Sequence, residues 1–133
     1  LNKNVLVADA SILAPAIADA GPDGQRYRRR LRGEALAAPD LAKVEVLSVL
    51  RRQVLNGSLA QSHAKNAVAN LLALPITAYP AQAFLKRCWE LRSNVTPYDA
   101  SYVALAETLG CQLLTADVRL ANAPGPTCPI EIP

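Results

Sequence analysis

The chain has 133 residues, of which 51% are hydrophobic, 5% aromatic and 19% charged. That length is one domain, residues 1–133, able to bury about two-thirds of its unfolded surface without disulfides or metal staples, and the composition excludes general disorder. Fourteen basic against eleven acidic side chains leave a net charge of +3, an excess that permits a polyanionic partner without demanding one.

No run approaches the about 18 to 20 apolar residues of a membrane span, and no leader pattern opens the chain, so no membrane partner and a cytoplasmic location are expected. Cys88, Cys111 and Cys128 are widely and irregularly spaced and have one His to help them. They read as reduced, mostly buried thiols rather than a zinc knuckle or a disulfide framework.

In chain order, the apolar run 4–8 predicts a buried strand that Asp9 ends. Residues 10–18 predict a helix with Pro15 awkwardly inside it, and 19–24 a break rich in Asp, Gly and Pro. An Arg-heavy helix is expected over 25–32, closed by Gly33. Residues 35–38 form a short second strand, so weak in β-formers that the edge of the sheet is left loosely defined. A helix over 41–55 follows, apolar around most of its circumference and therefore expected to be largely buried.

Another helix is expected over 59–74, stopped by Pro75, then a strand at 76–79 and a helix from Pro80 to about residue 93. Thr96-Pro97 opens a helix that Gly110 closes. Residues 111–115 read as a strand, with a short helix from about Val118. The Pro-flanked segment 129–132 has room only at an edge. Short apolar strands separated by helices predict an α/β fold with a mainly parallel sheet.

Parallel sheets place their sites at the carboxyl ends of the strands. Asp9 follows the first strand, and Asp117 follows the fourth in Leu113-Leu114-Thr115-Ala116-Asp117. Asp99 falls in the first turn of the helix opened by Thr96. Each has an ordinary reading: Asp9 and Asp117 as N-caps, and Thr96 to Asp99 as a capping box. Glu45 shares a narrow polar strip with Ser48 and Arg52 on an otherwise apolar helix, so it reads either as an ion-pair partner of Arg52 or as a carboxylate aimed into a cleft. Carboxylates about 4 Å apart repel by about 4 kcal/mol at an effective dielectric of 20. A cluster of four therefore calls for protons or cations. Oxygen-only donors suit Mg²⁺ or Mn²⁺, and one or two such ions, activating a water, would cleave phosphodiesters.

These residues also carry a family resemblance. Val5-Leu6-Val7-Ala8-Asp9-Ala10-Ser11 resembles the opening strand of PIN-domain nucleases, and Lys43-Val44-Glu45-Val46 matches their second acidic position. The segment from Thr96 through Asp99 to Ala106 is similar to the most recognisable family motif, and Thr115-Ala116-Asp117 to the last. In length the chain resembles VapC toxins of bacterial toxin–antitoxin pairs. The resemblance implies a PIN-like three-layer sandwich with a five-stranded sheet between helices, and Asp9, Glu45, Asp99 and Asp117 as the acidic, metal-holding quartet. It implies Thr115 and Ser11 as hydroxyl support, Mg²⁺- or Mn²⁺-dependent endoribonuclease activity that inhibits translation, a homodimer, and a VapB-like antitoxin. The competing readings are a PIN-like module that grips RNA or a partner without cutting, and a small-molecule phosphatase. The phosphatase reading lacks the second Asp two residues beyond Asp9, where Ser11 stands.

Arg26, Arg28, Arg29, Arg30 and Arg32 scatter around their helix, leaving Tyr27 and Leu31 as a thin apolar stripe. They read either as a solvated face or as RNA or antitoxin contacts, with Arg52 and Arg119 as further candidates. His63 has no nucleophile near it in the sequence. Phe84 and Trp89 are expected to pack the core or a dimer surface. Neither a phosphate-binding P-loop nor a GxGxxG turn occurs.

Overall fold

Five short runs lie side by side in the computed structural model, which describes residues 5–133; Asn4, the first residue of the expected opening strand, lies outside them. The strands are β1 (Val5–Ala8), β2 (Ala35–Pro39), β3 (Ile76–Tyr79), β4 (Gln112–Leu114) and β5 (Ile130–Glu131). All pair in parallel, in the order β3-β2-β1-β4-β5. Val7 stands opposite Ala37 on one side and Leu113 on the other, so β1 is covered on both edges and both faces, and a continuous apolar run is what such a strand needs.

The helices are α1 (Ala10–Ala18), α2 (Pro22–Leu31), α3 (Ala42–Leu55), α4 (Gln61–Ala73), α5 (Leu85–Glu90), α6 (Pro97–Leu109) and α7 (Val118–Ala121), with a 3₁₀ turn at Ala81–Phe84 before α5. The chain moves outward from β1 to β3 and then returns to β4 on the far side of β1. Right-handed crossovers in opposite directions put helices on both faces of the sheet, giving three layers. One layer gathers α2, α3 and α4 around α1, while α6 packs on β1, β2 and β4 with α5 against it. Every residue from Ala100 to Ala106 is at most 3% exposed, so α6 fills the core as an Ala-rich rod. The core is otherwise aliphatic, built on Val7, Ile12, Leu13, Val46, Leu71, Leu105, Leu113 and Leu114. Among the described residues no helix is long and apolar enough to cross a membrane.

Several boundaries differ from expectation for local reasons. Helix α2 begins at Pro22, inside the expected break, because Pro at the first helical position is preorganised and Gly24 lets the helix approach α1. A Cβ at Gly24 would sit 1.9 Å from the Asp19 carbonyl oxygen. The helix expected to reach residue 93 ends at Glu90, where Leu91, Asn94 and Val95 form a hydrogen-bonded turn instead. Strand β2, weak in β-formers, lies inside the sheet between β1 and β3, and its register is set by two partners rather than by propensity. The edges are β3 and the Pro-flanked β5.

Helix α3 buries only Ala42, Val46 and Leu50 fully and leaves Val44 66% and Leu55 68% exposed, so its all-round apolarity does not mean burial. Of the two residues expected in the core or at a dimer surface, Phe84 joins the core, and Trp89 stands 67% exposed on the outer side of the short α5.

Candidate active site

The strand order reverses between β1 and β4, and the crevice beyond their carboxyl ends is where parallel sheets hold ligands. Asp9 leaves β1 and Thr115 and Asp117 leave β4 at this crevice. Asp9 is 4% exposed. Its Oδ1 accepts from the Ser11 N–H at 3.0 Å and from the Ser11 hydroxyl, and its Oδ2 accepts from the Thr115 hydroxyl at 2.6 Å. The same two hydroxyls accept from the backbone beyond β4: Ala116 N–H donates to Ser11 Oγ at 2.8 Å and Asp117 N–H to Thr115 Oγ1 at 3.1 Å. Ser11 and Thr115 thus lock the loop after β1 to the loop after β4.

Helix starts supply the carboxylates. Asp9 caps α1, Asp117 caps α7 through the N–H groups of Arg119 and Leu120, and Asp99 and Glu45 lie in the first turns of α6 and α3. Each acidic group therefore sits where unpaired N–H groups and the positive end of a helix favour it. The capping reading holds for Asp9 and Asp117, which both cap helices. Thr96 caps α6 by accepting from the Asp99 N–H at 3.2 Å, which leaves Asp99 turned toward a cleft of about 290 Å³ that it lines with Asn94, Asp117 and Arg119.

Asp99 lies close enough to act electrostatically on both Asp9 and Glu45. Burial, and then the neighbouring Asp117 charge, push its carboxyl above the ordinary range, while Thr96 and Arg119 pull it down. Burial likewise raises Asp9 and Glu45, and the Asp99 charge raises both further. Carboxylates that lift one another form a site short of positive charge. Among the described residues, no three His, Cys, Asp or Glu side chains are gathered tightly enough to close on one metal ion. Asp9 has both oxygens engaged by hydroxyls, and Asp117 turns one oxygen to its cap.

Glu45 has no ion pair with Arg52. Its Oε1 instead accepts from the Tyr102 hydroxyl at 2.6 Å. Sequence reasoning assigned Tyr102 no role, although it stands three residues beyond Asp99 on the same face of α6, a spacing that signals a shared surface. The basic candidates separate. Arg119 lines the acidic cleft, while Arg52 and Arg29 are exposed. Arg26 pairs with Asp23 and reaches the Pro133 carbonyl. Arg30 binds both oxygens of Glu131 and also Gln112 and Glu34, so its guanidinium is occupied in pinning β5. His63 lines a separate cavity of about 690 Å³ that includes the end of α1 and Leu36 of β2, away from the carboxylates.

The PIN domain family matches residues 6–126 of the chain. The chain is 39% identical to the VapC ribonuclease Mb0985 of Mycobacterium bovis over 128 residues, covering 96% of this chain and 98% of that protein. It is 38% identical to ribonuclease VapC12 of Mycobacterium tuberculosis, with the same coverage of both. Among solved structures, PAE2754 from Pyrobaculum aerophilum superposes with a TM-score of 0.67 at 24% identity, over 94% of this chain and 81% of that one. Mycobacterium tuberculosis VapC20, described as a sarcin-ricin loop cleaving toxin, gives a TM-score of 0.67 at 16% identity, over 87% and 92%. The structural likenesses carry the fold alone, whereas the sequence relatives match nearly end to end. The chain therefore belongs to the PIN-domain family, among its VapC proteins.

Proposed function

We propose that the chain is a Mg²⁺- or Mn²⁺-dependent endoribonuclease, the toxin of a toxin–antitoxin pair, which hydrolyses RNA phosphodiester bonds and so inhibits translation. The observation that carries this reading is geometric: at the switch point of the sheet Asp99 and Asp117 line one cleft with Arg119, and Ser11 and Thr115 tie Asp9 to the loop that leads to Asp117. Membership of the PIN family and the ribonuclease names of its relatives support RNA as the substrate.

The donor set fits a hard divalent ion, being oxygen throughout and deficient in positive charge. Mg²⁺ takes one or two carboxylates and keeps several waters, which suits side chains that do not close into a single shell. Asp99 and Asp117, which line the cleft, and Asp9 and Glu45, whose carboxyls feel the Asp99 charge, would hold it. When bound, the ion supplies charge stabilisation at a phosphoryl oxygen and acidifies a coordinated water. Burial raises the pKa of Asp9 and Glu45; against it, Ser11 and Thr115 favour the charged form of Asp9 by donating to it, and Tyr102 does the same for Glu45. Arg119, at the rim, offers a guanidinium to a phosphate that the carboxylates alone would repel.

A VapB-like antitoxin and a homodimer complete the reading. The VapC names of the relatives support the antitoxin, as does the structural neighbour VapBC2 of Rickettsia felis, described as bound to a DNA fragment from its promoter. The test is cleavage of cellular RNA by the purified chain with Mg²⁺ or Mn²⁺, with EDTA, and by Asp99→Asn. Metal-dependent cutting that the substitution abolishes is expected. RNA binding without cutting under either metal would favour a non-catalytic binding module.

A further inference from the structure

Trp89 is the one tryptophan of the chain, and it stands in water near the end of α5. The Arg92 guanidinium lies over its ring, 4.4 Å from the centroid, and donates from Nη1 to the Trp89 carbonyl at 2.9 Å. The ring is thus held in orientation by a cation tied to its own turn, and much of its surface stays open. Leu85, one turn back, is also exposed, as is Lys86.

The turn after α5 leads from this stack to the acidic cleft. Asn94, two residues beyond Arg92, lines the cleft with Asp99, Asp117 and Arg119, so the backbone between them spans at most about 7 Å. Two bonds to the Leu91 carbonyl, from Asn94 N–H at 3.1 Å and Val95 N–H at 3.0 Å, keep the turn tight. One short turn therefore joins the Trp89–Arg92 stack to the acidic cleft.

Resting on the nuclease reading above, we propose that Trp89 and Arg92 form a stacking site for an unpaired base of the RNA strand whose backbone enters the cleft. A cleft lined by carboxylates gains little affinity from phosphates, so the strand needs a hold beside it. Stacking on an aromatic ring tolerates any base but requires that the base be free of its duplex. The site thus selects single-stranded segments, with the Arg92 guanidinium adding positive charge beside the strand. A second copy of this chain is the other occupant, which the experiment below separates from RNA.

The single tryptophan reports on its own occupancy. Asp99→Asn protein is titrated with a mixed-sequence single-stranded 12-mer RNA and with the same RNA as a duplex. Saturable quenching of Trp89 emission by the single strand, and far less by the duplex, is expected. In the same background Trp89→Ala should weaken binding of a labelled 12-mer by about 5- to 150-fold, with Trp89→Phe retaining most of it. Circular dichroism verifies the fold of both variants, whose substitution lies on the surface.

Unchanged emission and unchanged affinity of Trp89→Ala, in a protein whose wild type cuts RNA, would overturn the stacking site and leave the nuclease intact. Dimers without RNA that Trp89→Ala dissociates would overturn it in favour of self-association. A wild type that neither binds nor cuts RNA would remove the nuclease reading and this inference with it.

Discussion

The Tyr102 hydroxyl donates to Glu45 Oε1 at 2.6 Å, joining the first turn of α3 to the face of α6 that also carries Asp99. Tyr102 is 1% exposed. Burial, and then the Glu45 carboxylate, push its phenol far above the usual range, so it remains a donor at any working pH. Tyr102 is a positioning residue. Tyr102→Phe should cost about 1 kcal/mol of stability, the lower end for a bond to a charged and half-exposed group. RNA cleavage should fall by about tenfold through kcat, with KM little changed. Urea unfolding and single-turnover kinetics measure the two effects, and wild-type kinetics in the variant would defeat the positioning role.

Thr115 is fully buried and makes two bonds that Val cannot make. Thr115→Val keeps the volume but strands an Asp9 carboxylate oxygen and the Asp117 N–H, and should cost about 2 to 3 kcal/mol. Thr115→Ser keeps the hydroxyl and should recover most of the activity. A Val variant as active as the wild type would show that Asp9 needs no such anchor.

Metal should reveal itself in stability as well as in chemistry. In EDTA, Asp99→Asn removes the charge that acts on both Asp9 and Glu45 and should be at least as stable as the wild type. At Mg²⁺ about 100-fold above its Kd, the wild type should gain about 2.7 kcal/mol, or about 8 to 12 °C in Tm. The variant should gain little. Equal shifts in calorimetry would place the ion elsewhere.

Acid stability should depend on a pair far from these carboxylates. Burial pushes Glu107 up, but Arg87, bonded at 2.8 and 3.1 Å, and the N–H and hydroxyl of Thr127 outweigh it and hold its pKa below the ordinary 4.5. A depressed folded pKa means stabilisation that is complete above the unfolded value and lost as pH falls through the folded one. Glu107→Gln should therefore cost about 1 to 2 kcal/mol at pH 7 and flatten the loss of stability below about pH 4.5. Denaturant melts across pH 3 to 7 test the sign.

The short strand β5 is held by Arg30, whose guanidinium binds both Glu131 oxygens at 2.7 and 3.0 Å. The Glu131 carbonyl in turn accepts from the Thr115 N–H at 3.1 Å. Arg30→Ala should fray β5 and speed hydrogen exchange at Thr115, the residue that anchors Asp9. Unchanged exchange there would mean that β5 is held without the arginine.

By itself the sequence determined the elements and the order of the acidic positions. The β1 run, the Pro and Gly stops, and the Thr96-Pro97 opening of α6 are short-range signals, and short-range physics sets them. The strand at Ile76–Tyr79 and the helix at Ala10–Ala18 have the expected bounds for that reason. Even the carboxylates were legible, because strand ends and helix starts are where a parallel fold exposes backbone N–H groups that favour acidic side chains.

Only the tertiary structure decided which side chains face one another. Tyr102 became the partner of Glu45, and Arg52 did not, because α6 crosses the sheet to meet α3, a relation no local spacing encodes. Arg30 was claimed by Glu131, 101 positions away, and β2 was drawn inside the sheet by two neighbours despite its weak propensity. Trp89 and the outer side of α3 stayed exposed because apolarity states a preference for burial, whereas the packing of the layers decides which faces obtain it.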